Sequence, residues 1–315
     1  MNIRKIGIFV ILLCICFQLM PICAQTVSTS DALEPIIPDQ ECSLTVSFCY
    51  GQTAFANAQV KLYRIAEVSA DFQYTPVSSF EASGLILNDI QSNGEWNVIR
   101  STLEAYILAY NIQPDAVTTT DENGQVYFEA LPTGLYLVTI GQVVQDELHF
   151  RFDSALVALP GLGQDGYWQY QVAVNAKGEV LPPVDPDEEK ELKVLKLWKG
   201  DEGRTDRPTS VEVEIFRNGT SYETVILSEQ THWAYSWTVK DDGSVWTVIE
   251  RNIPEGYTMT VETRESSFVL TNTWPTIPEE PPKAGDTTNI MFYVVLMIIS
   301  GAMLVVLGLM RKRTV

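Results

Sequence analysis

The side chains that most often perform chemistry in proteins, histidine and cysteine, are few and scattered in this sequence. His149 and His232 are the only histidines, and each lies in or beside a strand-like run. No cysteine–histidine cluster has the spacing of a metal site, and no nucleophile elbow, P-loop or dinucleotide fingerprint occurs. The sequence therefore predicts no metal, no cofactor and no enzyme. An extracellular enzyme is the least favoured of the alternatives.

Two cysteines, Cys42 and Cys49, lie outside the first 24 residues. They flank the strand-like residues 43–48. At about 3.3 Å per residue, a straight strand would hold their Cα atoms beyond disulfide reach. The sequence predicts two unpaired, partly buried thiols.

The elements around these residues are mainly strands, which fall into two domains, residues 41–177 and 190–273. In the first domain, Val60 and Leu62 share one strand face, and Tyr63 and Ile65 share the other, so both faces are predicted to be covered. Residues 96–112 break the strand pattern with apolar residues at helical spacing, which predicts a helix covering an end or face of a β-sandwich. The predicted strands are 43–49, 58–68, 125–130, 135–140, 148–159 and 168–175.

The second domain alternates apolar and polar residues over about seven short segments, which is typical of an antiparallel sandwich. Asn218 and Gly219 between two such segments predict a tight hairpin. Acidic, proline-rich residues 178–189 predict a linker between the domains, and residues 274–289 predict a stalk.

Apolar segments near both ends predict export and anchoring. Residues 1–24 have the layout of a secretory signal peptide, with an N-terminal membrane anchor as the alternative. Residues 290–310 carry no charge, and at about 1.5 Å per residue they span roughly 30 Å, the thickness of a bilayer core. The basic residues of the tail 311–315 place the C-terminus in the cytoplasm and the body outside. The formal charge of −19 argues against nucleic acid or anionic lipid as a ligand.

Several ordered motifs resemble those of Cna-B-type domains, the prealbumin-like modules of Gram-positive adhesins and pilins. Residues 119–136, TTDENGQVYFEALPTGLY, resemble the TxDxxGxxxFxxLxxGxY signature. The resemblance implies an all-β chain with two tandem prealbumin-like antiparallel β-sandwiches, the first with one inserted helix. In the second domain, the matching pieces are VLKLW (194–198), RPTSV (207–211), WTVIE (246–250), IPEGY (253–257) and FVLTNT (268–273).

The resemblance maps a self-made lysine–asparagine isopeptide bond onto Lys196 and Asn272, with Glu250 as the assisting acid. Lys196 shares its strand face with Val194 and Trp198, so burial favours a neutral, nucleophilic amine. Burial also favours a protonated Glu250, which could polarise the Asn272 carbonyl and shuttle a proton as ammonia leaves. A buried Lys196–Glu250 ion pair without the bond is the alternative.

The first domain lacks this set. Residues 43–48 contain no lysine, and Ile140 stands where the family often places glutamate, so the resemblance implies no such bond there. Lys177 lies where pilin shafts carry the lysine that sortase joins to the next subunit, with Asn175 and Ala176 replacing tyrosine and proline. A solvated lysine at a domain edge and a sortase acceptor are both open interpretations.

Near the C-terminus, Pro281, Pro282, Lys283, Ala284 and Gly285 resemble an LPxTG sortase signal, with Pro281 replacing leucine and Ala284 replacing threonine. The resemblance implies sortase and cell-wall peptidoglycan as partners; without cleavage, the chain stays anchored in the membrane. The expected function is a cell-surface structural or adhesive protein. A polymerising pilin subunit is the alternative, and a host or matrix ligand or other pilins are the further partners implied.

Overall fold

The computed structural model describes residues 34–145, 148–181, 183 and 187–275. Within these ranges the chain is mostly β, and it forms two sandwich domains, which confirms the predicted fold class. The predicted signal peptide, most of the stalk, the sorting signal 281–285, the apolar span 290–310 and the tail lie outside them. No helix in the described residues is both long and apolar enough to cross a membrane.

The first domain is built from short strands and two helices. In chain order they are β1 (Cys42–Ser47), β2 (Cys49–Tyr50), β3 (Thr53–Ala54), β4 (Gln59–Val68), β5 (Tyr74–Pro76), α1 (Ser78–Glu81), α2 (Asn93–Tyr110), β6 (Ala116–Thr119), β7 (Gln125–Leu131), β8 (Gly134–Ile140), β9 (Val143–Gln145), β10 (Leu148–Phe152), β11 (Ala155–Leu159), β12 (Gly161–Leu162), β13 (Trp168–Gln169), β14 (Gln171–Asn175) and β15 (Gly178–Val180).

Two sheets of the first domain face each other across an apolar core. One has the order β14-β1-β7, with β1 parallel to β14. The other has the order β11-β8-β4-β5, with β6 also paired to β4, and a small sheet β15-β10-β9 packs beside them. Leu44, Val46, Leu62, Val138 and Phe150 lie in the core between them. Burial of these apolar side chains stabilises the sandwich.

Strand β4 is covered on both faces, as predicted. Val60 and Leu62 belong to the core between the sheets, whereas Tyr63 and Ile65 belong to a second core that includes α2. The prediction of one continuous strand over 148–159 was wrong. The chain turns at Asp153, whose N–H donates to the Lys177 carbonyl, so β10 and β11 lie in different sheets.

Helix α2 confirms the helix predicted from apolar spacing. It begins after Ser92, whose side chain accepts from the Glu95 N–H in a capping box, and it ends at Asn111 in the left-handed conformation. Its buried stripe includes Ile99, Leu103 and Ile107. The helix contributes this stripe to the second core, which also contains Tyr63 and Ile65 of β4.

The second domain contains the seven strands that the sequence predicts. They are β16 (Glu189–Lys199), β17 (Ser210–Arg217), β18 (Thr220–Ser228), β19 (Ala234–Lys240), β20 (Trp246–Glu250), β21 (Thr258–Arg264) and β22 (Ser267–Thr273), with a 3₁₀ turn at Glu229–Thr231. The β17–β18 hairpin turns at Asn218 and Gly219, both with positive φ, as predicted.

The seven strands form two sheets, β19-β16-β22-β21 and β18-β17-β20. All neighbours are antiparallel except β16 and β22, the first and last strands, which run parallel. Two ends of the predicted linker 178–189 are strands, because β15 covers Gly178–Val180 and β16 begins at Glu189.

Candidate functional site

Three polar side chains lie inside the apolar core of the second domain. Lys196 is 3% exposed, and Glu250 and Asn272 are 0% exposed. Lys196 alternates with buried Val194 on β16, and Asn272 alternates with buried Leu270 on β22. Glu250 ends β20, which belongs to the opposite sheet. The sandwich therefore brings together, from three strands, the residues that the resemblance singles out.

Glu250 contacts the other two side chains directly. Its Oε1 accepts a hydrogen bond from Asn272 Nδ2 at 2.9 Å. Its Oε2 lies 3.1 Å from Lys196 Nζ, and both side chains are completely buried. This second contact has the distance of an ion pair but not the angles of a good hydrogen bond, and Nζ instead donates to the Leu197 carbonyl at 3.3 Å. Among the described residues, Asn272 Oδ1 has no hydrogen-bond partner.

The register of the parallel pair explains why Lys196 and Asn272 are neighbours. Lys196 pairs with Leu270, and Trp198 pairs with Asn272. The two inward side chains are therefore diagonal neighbours on one sheet face, a separation that a long lysine side chain can cross. Glu250 lies over both of them from the facing sheet.

Burial lowers the pKa of Lys196 to about 8, because the interior penalises the charged ammonium. The carboxylate of Glu250 opposes this effect by favouring the charged amine. A fraction of the lysine is consequently neutral near physiological pH, which is the form with a lone pair for nucleophilic attack.

Sequence reasoning placed Trp198 beside Lys196 but missed the polar groups behind it. Lys196 Nζ lies 4.5 Å from the centroid of the Trp198 ring, a cation–π distance. Tyr257 packs edge-on against Trp198, and its hydroxyl donates to Asp201, which also accepts two 2.6 Å hydrogen bonds from Arg207. The opposite charges of Asp201 and Arg207, six residues apart directly after the lysine strand, were the available signal.

The other residues considered in the sequence lie elsewhere. Lys177 is exposed just after β14, and Lys193 is exposed on the outer face of β16. Cys42 is buried and Cys49 is exposed, and both thiols are free. His149 and His232 are exposed in different domains. In the part of the chain that the structure describes, no histidine, cysteine and carboxylate cluster could hold a metal ion.

A seven-stranded sandwich with a parallel first–last pair and a buried lysine, glutamate and asparagine defines the class of domain. Residues 192–273 match the sequence model of the family described as Cna protein B-type domain. The match covers almost all of the second domain and lies within the stretch 190–273 delimited from the sequence. No curated protein matches the chain.

Solved structures of Gram-positive surface proteins are similar to the chain at low identity. The single B1 repeat unit of the collagen binding surface protein of Staphylococcus aureus is 17% identical, with 75% of this chain and 100% of that chain covered and a TM-score of 0.26. The shaft pilin SpaA of Lactobacillus rhamnosus GG is 11% identical, with 75% and 100% covered and a TM-score of 0.28. The major pilin SpaD of Corynebacterium diphtheriae is 14% identical, with 76% and 65% covered and a TM-score of 0.29.

Proposed function

We propose that this protein is a structural or adhesive protein of the cell surface whose second domain is stiffened by an isopeptide bond between Lys196 and Asn272. The single observation that carries the proposal is the convergence of an amine, a carboxyl group and an amide in a fully buried site. The family match of residues 192–273 supports a surface role. The predicted signal peptide, sorting signal and apolar span support anchoring by sortase to peptidoglycan or, without cleavage, in the membrane.

The reaction begins with the protons of the lysine–glutamate pair. Transfer of one proton from Lys196 Nζ to Glu250 Oε2, which lie 3.1 Å apart, converts an ion pair into a neutral amine and a carboxylic acid. A neutral pair is favoured in an apolar interior, because two separated charges lose their hydration there. The same transfer creates the nucleophile and the general acid, so neither needs a proton from solvent.

The carbonyl of Asn272 must then be polarised. In the observed orientation its Nδ2 faces Glu250 Oε1, while Oδ1 has no partner in the described part of the chain. Rotation of the amide by half a turn brings Oδ1 to the acid, which can donate a hydrogen bond to it. That bond strengthens as negative charge develops on the oxygen, which is how an acid lowers the barrier.

The bond change is an amide exchange. Lys196 Nζ forms a bond to Asn272 Cγ, the Cγ–Nδ2 bond breaks, and Nδ2 leaves as ammonia. Glu250 relays the proton that the attacking amine loses to the leaving nitrogen and ends as the carboxylic acid that the first proton transfer formed. Atoms and charges balance without a metal, cofactor or oxidant.

The position of the bond has a mechanical consequence. The chain enters the second domain at β16 and leaves it after β22, and these strands are parallel neighbours. A covalent link between Lys196 and Asn272 would carry a pulling force directly from the entering strand to the leaving strand. The loop between them would be shielded from extension, and the cross-link would also reduce the entropy of the unfolded chain.

Intact mass spectrometry tests the proposal on the exported chain, residues 25–289. We expect the parent to be lighter than its sequence by one ammonia, and a Lys196→Ala variant to have its full sequence mass. Lys193→Ala is the matched control: it removes an exposed lysine from the same strand and should still lose ammonia. A parent of full mass would mean that Lys196, Glu250 and Asn272 form an unreacted buried network.

A polymerising pilin subunit is the second candidate, favoured by the exposure of Lys177 at the edge of the first domain. Co-expression with a pilin sortase should then give covalent multimers that survive boiling in detergent. A Lys177→Ala variant should lose this ladder and keep the ammonia loss of the second domain. Absence of a ladder with the parent would leave a monomeric anchored protein.

A further inference from the structure

Helix α2 belongs to the first domain by sequence, but it packs against the second. It lies against β11 of the first domain and against the side of the second sandwich where β20 and β21 run. One continuous apolar core contains Ile99 and Leu103 of the helix, Ile249 of β20 and Val261 of β21. The first domain thus covers one side of the domain that carries the candidate site.

The side that α2 covers is an open seam between the two sheets of the second sandwich. In the described residues, β20 pairs only with β17, and β21 pairs only with β22, so each strand is the edge of its sheet. Edge strands have backbone groups without ladder partners, and burying them requires other partners. The helix must therefore supply hydrogen bonds as well as apolar contact.

Thr102 supplies the bond to β21. Its side chain is 1% exposed, and its Oγ1 accepts from the Val261 N–H at 2.8 Å while donating to the Val98 carbonyl within the helix at 2.7 Å. Val261 pairs with Leu270, two residues before Asn272 on β22. The helix is consequently tied to the strand that supports the amide.

The end of the helix supplies the bonds to β20. Arg251, the residue directly after Glu250, donates from Nη1 to the Ala109 carbonyl at 2.9 Å. Its own carbonyl accepts from the Tyr110 hydroxyl at 3.2 Å, and its guanidinium pairs with Glu214. The first domain therefore holds Arg251 at its backbone through Tyr110 and at its side chain through Ala109, and Glu214 of the second domain also pairs with that side chain.

We infer that α2 is a positioning element for the isopeptide reaction: by docking on β20 and β21 it holds Glu250 and Asn272 at Lys196. This inference rests on the proposed function. The bond is expected to form at full rate only when the two domains are docked. In the described residues, the polar contacts of Lys196, Glu250 and Asn272 all come from the second domain. Thr102 and Tyr110 are positioning residues in this reaction.

The size of the effect follows from the geometry of attack. Small displacements of reacting groups cost large factors in rate, about 10²-fold for a shift of 1 Å. Loss of one anchor among several should shift the acid or the amide by less than this. We therefore expect about tenfold slowing when Thr102 loses its hydroxyl, and a smaller slowing, about threefold, when the exposed Tyr110 hydroxyl is lost.

The test follows bond formation in residues 25–289 made by cell-free synthesis, with samples quenched over time and their intact masses measured. Thr102→Val keeps the shape of the side chain and removes the acceptor of the Val261 N–H; Thr102→Ser restores it and should react like the parent. Gln142→Ala removes another interdomain hydrogen bond, 3.4 Å to the Gly243 carbonyl. Gly243 precedes the start of β20 at Trp246, whereas Glu250 lies at the other end of that strand. The Gln142→Ala variant should therefore react normally.

A stability control separates positioning from simple loss of stability. Val225 is buried on β18, the strand of its sheet farthest from α2, so Val225→Ala weakens the second domain with the helix contacts intact. Slowing by Thr102→Val and Tyr110→Phe, with little slowing by Val225→Ala, supports the inference. Equal slowing by Val225→Ala, or a Thr102→Val variant that reacts as fast as the parent, overturns it while the isopeptide bond stands. A parent of full mass overturns both proposals.

Discussion

The two domains share a strand frame but differ in chemistry at two matching positions. In each, the first strand runs parallel to a late strand of the same domain, β1 to β14 and β16 to β22. Lys196 pairs with the residue two before Asn272, and Val46 pairs with the residue two before Ala176. All four side chains point into a core and are buried. Where the second domain has an amine and an amide, the first has two apolar side chains.

This difference indicates that the strand frame can form without the buried side chains of the proposed reaction. The buried carboxylates of the described residues, Asp201, Glu214 and Glu250, all lie in the second domain. The first domain keeps the same parallel pairing with apolar packing alone, and one of its sheets is covered on both faces. The pairing therefore does not need the bond. The second core differs from the first by a buried amine and amide at the two matching positions and by the buried carboxyl group of Glu250.

The largest expected effect comes from removing the acid. Glu250→Ala leaves Lys196 buried without a counter-charge, which costs about 3–5 kcal/mol. It would also block the proposed cross-link, which would contribute about 4 kcal/mol of stability for a loop of this length. Together these losses approach the whole stability of a domain. We expect limited proteolysis to cut the second domain of this variant and to spare the β-strands of the first.

A double variant is the control for this experiment. Lys196→Met with Glu250→Met removes both charges and fills the space with apolar atoms, which is often neutral or stabilising for a buried pair. The double variant should fold without losing ammonia and should be less stable than the parent only by the value of the cross-link. A Glu250→Ala variant that resists protease like the parent would contradict the assignment.

The converse experiment places the amine in the inert frame. Val46 is 0% exposed, so Val46→Lys buries an amine with no buried carboxylate in the described residues of the first domain. We expect it to lower the free energy of unfolding by about 4 kcal/mol, measured by denaturant titration, while Val46→Met costs about 1 kcal/mol. The pair Val46→Lys with Ala176→Asn should lose only the one ammonia expected from the second domain. Loss of a second ammonia by this pair would mean that the acid is dispensable.

Strand periodicity in the sequence correctly predicted the features that depend on a single strand. The alternation along β16 predicts that Lys196 faces the core with Val194, and the structure agrees. The same reasoning predicts both covered faces of β4. The same reasoning was wrong over 148–159, where β10 and β11 join different sheets. Alternation of apolar and polar residues does not reveal which sheet a strand joins.

The docking of α2 was beyond the sequence for a similar reason. Its apolar stripe predicts a buried face, and the helix was confirmed. The stripe does not say how many surfaces the helix covers, and Thr102 has no special signal among the polar residues of the helix. The hydrogen bond from Val261 to Thr102 joins residues 159 positions apart. Pairings across such distances come from the fold of both domains together.

The smallest expected effect concerns the pH dependence of the unreacted site. Asn272→Ala removes the amide and leaves Lys196 free, with a pKa lowered by burial to about 8 from 10.5. Between these values the unfolded chain binds more protons than the folded one, so stability rises with pH. The gain should reach about 3 kcal/mol by pH 10.5, since one pKa unit corresponds to about 1.4 kcal/mol.

In a parent that carries the proposed bond, the same nitrogen is an amide and does not titrate, so this contribution is absent. Other groups, such as Tyr74 and Tyr136 with pKa values raised by burial to about 12, titrate in both proteins and cancel in the difference. Urea titrations from pH 7 to 10.5 should therefore show the stability gap between parent and variant narrowing above pH 8. A gap that stays constant would mean that Lys196 is a free amine in both proteins, and the core of the second domain would then differ from that of the first only in its polarity.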